Sequence, residues 1–117
     1  MIRVEFMRLV AEAIELIPAR FRREMKNLAL VVEDAPNPKV LREMDIEAPD
    51  SLYGLYQGTP LTERTWDFGN QLPDRITLYR EAILRRCTTD KQVVREIRAT
   101  LLHELGHYFG LPDSELG

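Results

Sequence analysis

Cysteine is nearly absent from this sequence: Cys87 stands alone among 117 residues. An internal disulfide is therefore excluded. With no other Cys or His near it in sequence, the thiol reads as a half-buried structural group in a reducing compartment. Long apolar runs are also missing, and nothing approaches the roughly 20 residues of a membrane-spanning helix. The opening Met1-Ile2-Arg3-Val4-Glu5, followed by Glu12 and Glu15, breaks the apolar core that a secretory signal needs. A cytoplasmic protein without membrane contact is the expectation. Basic charge is not in excess, since 16 Lys and Arg face 19 Asp and Glu for a net charge of -3. That balance argues against nucleic acid as the main partner. Repeats and low-complexity tracts are lacking as well.

What remains is an ordinary globular composition, 44% apolar, in a chain long enough to bury roughly 60–70% of its unfolded surface. Residues 1–117 read as one domain. Phe6, Leu9, Val10, Ala13, Leu16 and Ile17 recur at helical spacing and predict an amphipathic helix over 3–17. Pro18 breaks it and opens a short second helix to about Met25, with Asn27 able to end it. Leu28 to Val32 is apolar and β-branched, a strand buried on both faces. Asp34 to Pro38 is a loop and Val40 to Met44 a helical turn. Leu52 to Gln57 predicts a second strand, in which Gly54 signals a bulge or a close backbone approach. A long loop over 58–74 separates it from a third strand, Arg75 to Tyr79, and Glu81 to Arg86 is helical.

The last helix has the clearest ends. Thr89-Asp90-Lys91-Gln92 fits a capping box, Val94, Ile97, Leu101 and Leu105 form its apolar stripe, and Gly110 before Pro112 marks a left-handed stop. Gly106 within it costs about 1 kcal/mol relative to Ala, so close packing of a neighbour is expected there.

This helix carries both histidines of the chain, in His103-Glu104-Leu105-Gly106-His107. Residues four apart lie one turn above another on the same face, so the two imidazoles can converge on one ion. Zinc suits neutral imidazole nitrogen and tetrahedral geometry. Glu104, rotated about 100° from His103, stands beside the ion without having to ligate it, where a carboxylate can move a proton. Chance would place two histidines four apart in roughly one case in sixty, and a glutamate after the first lowers this about tenfold. A catalytic zinc needs a third protein ligand. Asp113, brought back by a turn at Gly110, is the candidate, with Glu115 a weaker substitute.

The stretch from His103 to Asp113 resembles the extended zincin motif H-E-x-x-H-x-x-G-x-x-H/D. Leu52-Tyr-Gly-Leu-Tyr-Gln-Gly58 with Thr59 to Arg64, and Leu72 to Arg80, resemble the small bacterial zincin-like metallopeptidases, the minimal zincins. The resemblance implies an α+β fold, with a small twisted sheet of about three strands packed against an active-site helix and an N-terminal helix. It also implies an edge strand above the zinc that pairs with an extended peptide. Arg75 to Tyr79 is the candidate strand, with Ile76 and Leu78 as substrate-binding residues. All four methionines precede the motif, so the methionine-bearing turn of the metzincins and the lower half of their cleft have no counterpart in these residues. A protein partner completing the cleft is therefore expected.

The leading functional expectation is a zinc-dependent metallopeptidase acting on a peptide or protein substrate, with Glu104 as general base and then acid. Tyr79, Tyr108 and Arg64 are weighed as oxyanion donors, packing or surface roles being the more ordinary reading. The alternative is a non-catalytic, metal-stabilised module that binds a peptide or partner. A metal hydrolase of non-peptide substrates is a third and weaker reading. Glu104 favours an enzyme, because purely structural zinc sites are usually closed by four ligands.

Overall fold

In the computed structural model the described residues are 1–46, 52–58, 60 and 74–111. Helix α1 spans Arg3–Glu15, α2 Ala19–Glu24, and a 3-10 turn follows over Met25–Asn27. Then come β1 (Ala29–Glu33), α3 (Pro38–Glu43), β2 (Gly54–Gln57), β3 (Arg75–Tyr79), α4 (Arg80–Arg85) and α5 (Asp90–Tyr108). The fold is α+β, with one small mixed sheet in the order β1-β3-β2. β1 runs parallel to β3, with Val31 opposite Thr77, and β2 runs antiparallel, with Tyr56 opposite Ile76.

The expected helical pattern produces the core directly. Phe6, Leu9, Val10 and Ala13 are buried on one face of α1, and Ile17 joins them just beyond its end. That face packs along α5, which in turn packs on β2 and β3. The stripe of α5 begins at Val93, rather than at Val94, and continues through Ile97, Leu101 and Leu105 to Tyr108. Val94 is half-buried instead. Among the described residues no helix is long and apolar enough to cross a membrane.

Two strand assignments need correction. β3 is the central strand, and Ile76 and Leu78 are 1% and 0% exposed, so they are core residues that cannot meet a substrate. Thr77 and Tyr79 make β3 look half-solvated in sequence, yet both are buried too. Threonine and tyrosine fit a pleated interior as well as a surface, so alternation by residue type misleads here. Conversely, the sequence predicts a β1 buried on both faces, but among the described residues it lies at a sheet edge, and only its Val32 is fully buried. An apolar run reports hydrophobicity, while its position in the sheet depends on distant partners.

Candidate metal centre

α5 is fixed at both ends by its own sequence. The Gln92 N–H donates to Thr89 Oγ1 at 3.2 Å, and Gln92 Oε1 accepts from the Thr89 N–H at 3.3 Å, completing the capping box. At the other end Gly110 has φ 79°, a conformation glycine adopts at little cost. The Leu111 N–H donates to the Gly106 carbonyl and the Gly110 N–H to the His107 carbonyl, each at 2.9 Å, a Schellman stop. The helix therefore ends in a left-handed turn at Gly110, three residues after His107. Asp113, Glu115 and Arg64 lie outside the described residues.

His103 and His107 are half-buried, and Glu104 between them is 7% exposed. The Nε2 atoms of the two histidines are 3.3 Å apart, with the rings at 76°. Two nitrogens each 2.0–2.1 Å from one ion at a tetrahedral angle are separated by roughly 3.3–3.4 Å. The histidine pair thus has the span of one edge of a zinc tetrahedron. Candidate ligand atoms of His103, Glu104 and His107 all fall within 4.8 Å of one another. Neutral nitrogen donors at this spacing fit zinc, and His103 and His107 would hold it.

Glu104 is held from the sheet. Tyr79 donates its N–H to the Tyr53 carbonyl, so the odd-numbered residues of β2 turn their backbone toward β3 and Gly54 and Tyr56 turn theirs away. The outward Tyr56 N–H donates to Glu104 Oε1 at 2.8 Å. A charge-assisted bond of this kind fixes one carboxylate oxygen against the strand. Close contact between β2 and α5 makes it possible, and Gly54 permits that contact. A Cβ at position 54 would lie 2.5 Å from Thr100 Cγ2, 3.2 Å from the Thr77 carbonyl oxygen and 3.6 Å from Glu104 Cγ. Close approach, one of the two meanings expected of this glycine, is therefore the one that holds.

β2 is the strand that borders the metal centre, and among the described residues it is a sheet edge. The sequence pattern points to β3 for that place instead. Gly54 was the available signal, since a strand glycine marks where another element comes near. The tyrosines weighed as oxyanion donors are interior: Tyr79 is 3% and Tyr108 1% exposed. Burial, then Glu33, raises the Tyr79 pKa, Arg75 opposes this, and Glu104 adds to it. Tyr108 packs edge-on to Tyr56 and directs its hydroxyl at Glu24, 3.4 Å away. Cys87 is half-buried, and burial, followed by Glu96, pushes its thiol pKa up against the opposing Arg86. A thiol so placed is a poor nucleophile, as its isolation in the sequence suggested.

A helix bearing paired histidines and a buried glutamate, closed by a left-handed glycine stop and bordered by an edge strand, is an arrangement that could hold a metal ion in the manner of the zincin class. A family model for zincin-like metallopeptidases matches residues 25–117, and the chain belongs to that family. The match begins after α1 and α2, although α1 supplies part of the core against α5. No curated protein matches the chain.

Proposed function

We propose that the chain is a zinc-dependent peptidase in which His103 and His107 hold the metal and Glu104 moves the proton. The observation that carries this reading is the placing of Glu104. It lies within ligand reach of both histidines, yet its Oε1 is tied to the Tyr56 N–H of the neighbouring strand. Zinc, when bound, supplies Lewis-acid polarisation of the scissile carbonyl and of the attacking water. Glu104 takes the proton from that water through its carboxylate and delivers it to the leaving amine nitrogen. The Tyr56 N–H keeps the carboxylate oriented through both transfers. Asp113 is proposed as third ligand, supported by the left-handed helix stop at Gly110, three residues before it in sequence. An extended substrate would meet the outer edge of β2 at Gly54, whose backbone faces the cleft, because the Tyr56 N–H is held by Glu104.

Zinc binding and digestion of an end-blocked peptide mixture, compared between wild type and Glu104→Gln, test the reading. Both proteins should bind zinc equally, and turnover should fall by about 10²–10⁴ in the variant. Equal turnover in the two would refute the role of Glu104. Zinc binding with no turnover in either would favour the metal-stabilised binding module.

A further inference from the structure

Among the described residues, five of the seven exposed large apolar side chains lie within residues 1–16, ahead of the matched family segment. On α1 they are ordered. Val4, Met7, Ala11 and Ile14 recur at three- and four-residue spacing and form a stripe beside the face that buries Phe6, Leu9, Val10 and Ala13. Val4 is 75% and Met7 42% exposed, Ala11 is exposed and Ile14 half-buried. Beyond Val4 and Ala11 the helix surface turns charged, with Arg8, Glu12 and Glu15. Arg8 lies 3.8 Å from Asp90, an exposed pair that contributes little and leaves the guanidinium available.

The start of α1 is anchored at the end of β1. The Arg3 guanidinium donates to the Val32 carbonyl, and Arg80 donates to the Met1 carbonyl at 2.6 Å and to Asp34 at 3.0 Å. β1 is a sheet edge among the described residues, separated by β3 from β2 and the metal centre. The Ala29 N–H donates to the Asp74 carbonyl at 3.0 Å, so the odd-numbered residues of β1 turn their backbone to β3 and Leu30 and Val32 turn theirs outward. Arg3 covers the Val32 carbonyl, whereas Leu30 directs both its N–H and its carbonyl to the outside. Edge strands are commonly guarded by charge, proline or a bulge. In β1 only the last residue, Glu33, is charged, and Leu30 and Val31 are half-buried. An apolar edge strand next to an apolar helix flank has the character of an interaction surface.

We propose that the outer flank of α1 and the edge of β1 form the interface of a twofold dimer, covered by a second copy of this chain. Two observations select a second copy. Leu30 presents a donor and an acceptor together, and in an antiparallel ladder such a residue closes on its own twofold mate through two N–H···O bonds. The charges of α1 also match their own reverse. Arg8 lies toward the start of the helix and Glu12 and Glu15 toward its end, so an antiparallel neighbour sets the arginine of each copy against the acids of the other. The 13 residues of α1 span roughly 20 Å at 1.5 Å per residue. One helix pair with a short strand contact is at or below the about 1,200–2,000 Å² of a standard interface, so association should be micromolar rather than nanomolar. The metal centre, on the β2 side of the sheet, stays open in such a dimer.

Sedimentation equilibrium of the whole chain from about 1 μM to about 1 mM should show a monomer–dimer equilibrium. Val4→Glu and Met7→Lys should each weaken it about tenfold or more, and because both positions are exposed, thermal melts of the dilute variants should match wild type. Arg8→Glu alone, and Glu12→Arg with Glu15→Arg, should each weaken self-association. A one-to-one mixture of those two proteins should associate about tenfold more tightly than either does by itself, since each then supplies the sign the other lacks. Amide exchange at Leu30 should slow as the concentration rises through the dimer range, while that at Ala29, already held by β3, should not change. A monomer throughout the range, or open-ended growth in place of a closed dimer, overturns the proposal. So does a dimer that the Val4 and Met7 variants leave intact, because it would use another face. A mixture no tighter than its components overturns the antiparallel helix pair, and exchange at Leu30 that ignores concentration overturns the strand contact.

Discussion

Gly54→Ala is a direct probe of the joint between β2 and α5. The added methyl would stand 2.5 Å from Thr100 Cγ2 and 3.2 Å from the Thr77 carbonyl oxygen. The first distance is impossible without movement, and the second leaves a few tenths of an ångström to be found in the β3 backbone. Overpacking of this kind costs about 1–3 kcal/mol. For a chain of this length that lowers Tm by roughly 3–6 °C per kcal/mol. The strand must also shift away from the helix, which stretches the Tyr56 N–H bond to Glu104. A small misplacement of a catalytic group lowers turnover by on the order of tenfold or more. Thr100→Ser removes the methyl responsible for the worst contact, at a cost of about 1 kcal/mol for a buried methyl taken alone. The double variant should therefore be more stable than the sum of the single changes implies, with a coupling of about 1–1.5 kcal/mol. Urea melts of the four proteins measure this, and peptide turnover should recover in parallel. Additive effects, or a Gly54→Ala protein within about 0.5 kcal/mol of wild type, would refute the close-approach argument.

Two further perturbations report on other joints of the same sheet. Gly58 has φ 151°, and a Cβ there would collide with the Asp74 carboxylate. Gly58→Ala should therefore cost about 1–3 kcal/mol in a denaturant melt, and a loss below about 0.5 kcal/mol would contradict the packing described. Tyr79 has a pKa raised by burial, so its neutral form is favoured in the folded state. Its contribution to stability is complete below pH 10, the ordinary tyrosine value, and is lost as pH rises through the higher folded pKa. Tyr79→Phe should flatten the alkaline limb of a stability-against-pH curve, and an unchanged limb would show that another group sets it.

The half of the site that depends on one helix was legible from sequence, and the half that depends on strand order was not. His103, Glu104 and His107 share α5, so 3.6-residue geometry alone brings them together, and the capping box and Gly110 mark its ends locally. Edge and centre in the sheet are settled by pairings between residues far apart in sequence. β1 and β3 pair across more than forty residues, Ala29 with Arg75, and no local pattern encodes that choice. Composition then pointed the wrong way twice. The apolar run of β1 suggested a strand covered on both faces, and the Thr77 and Tyr79 of β3 suggested an open one.

The exchange of strands changes the chemistry assigned to the sheet. Had β3 been the edge, its backbone would have met the substrate and nothing in the sequence would have tied Glu104 to the strand. With β2 at that place, one short segment does two things through alternate backbone directions. Its odd residues join β3 and fix the strand, while Gly54 and Tyr56 face the metal centre, one by omitting a side chain and the other by donating its N–H. Glu104 is thereby oriented by a main-chain group, which no substitution at position 56 other than proline removes. Tyr56→Phe should accordingly leave the strand's grip on Glu104 intact, whereas Gly54→Ala should loosen it while leaving every atom of the Glu104 side chain in place.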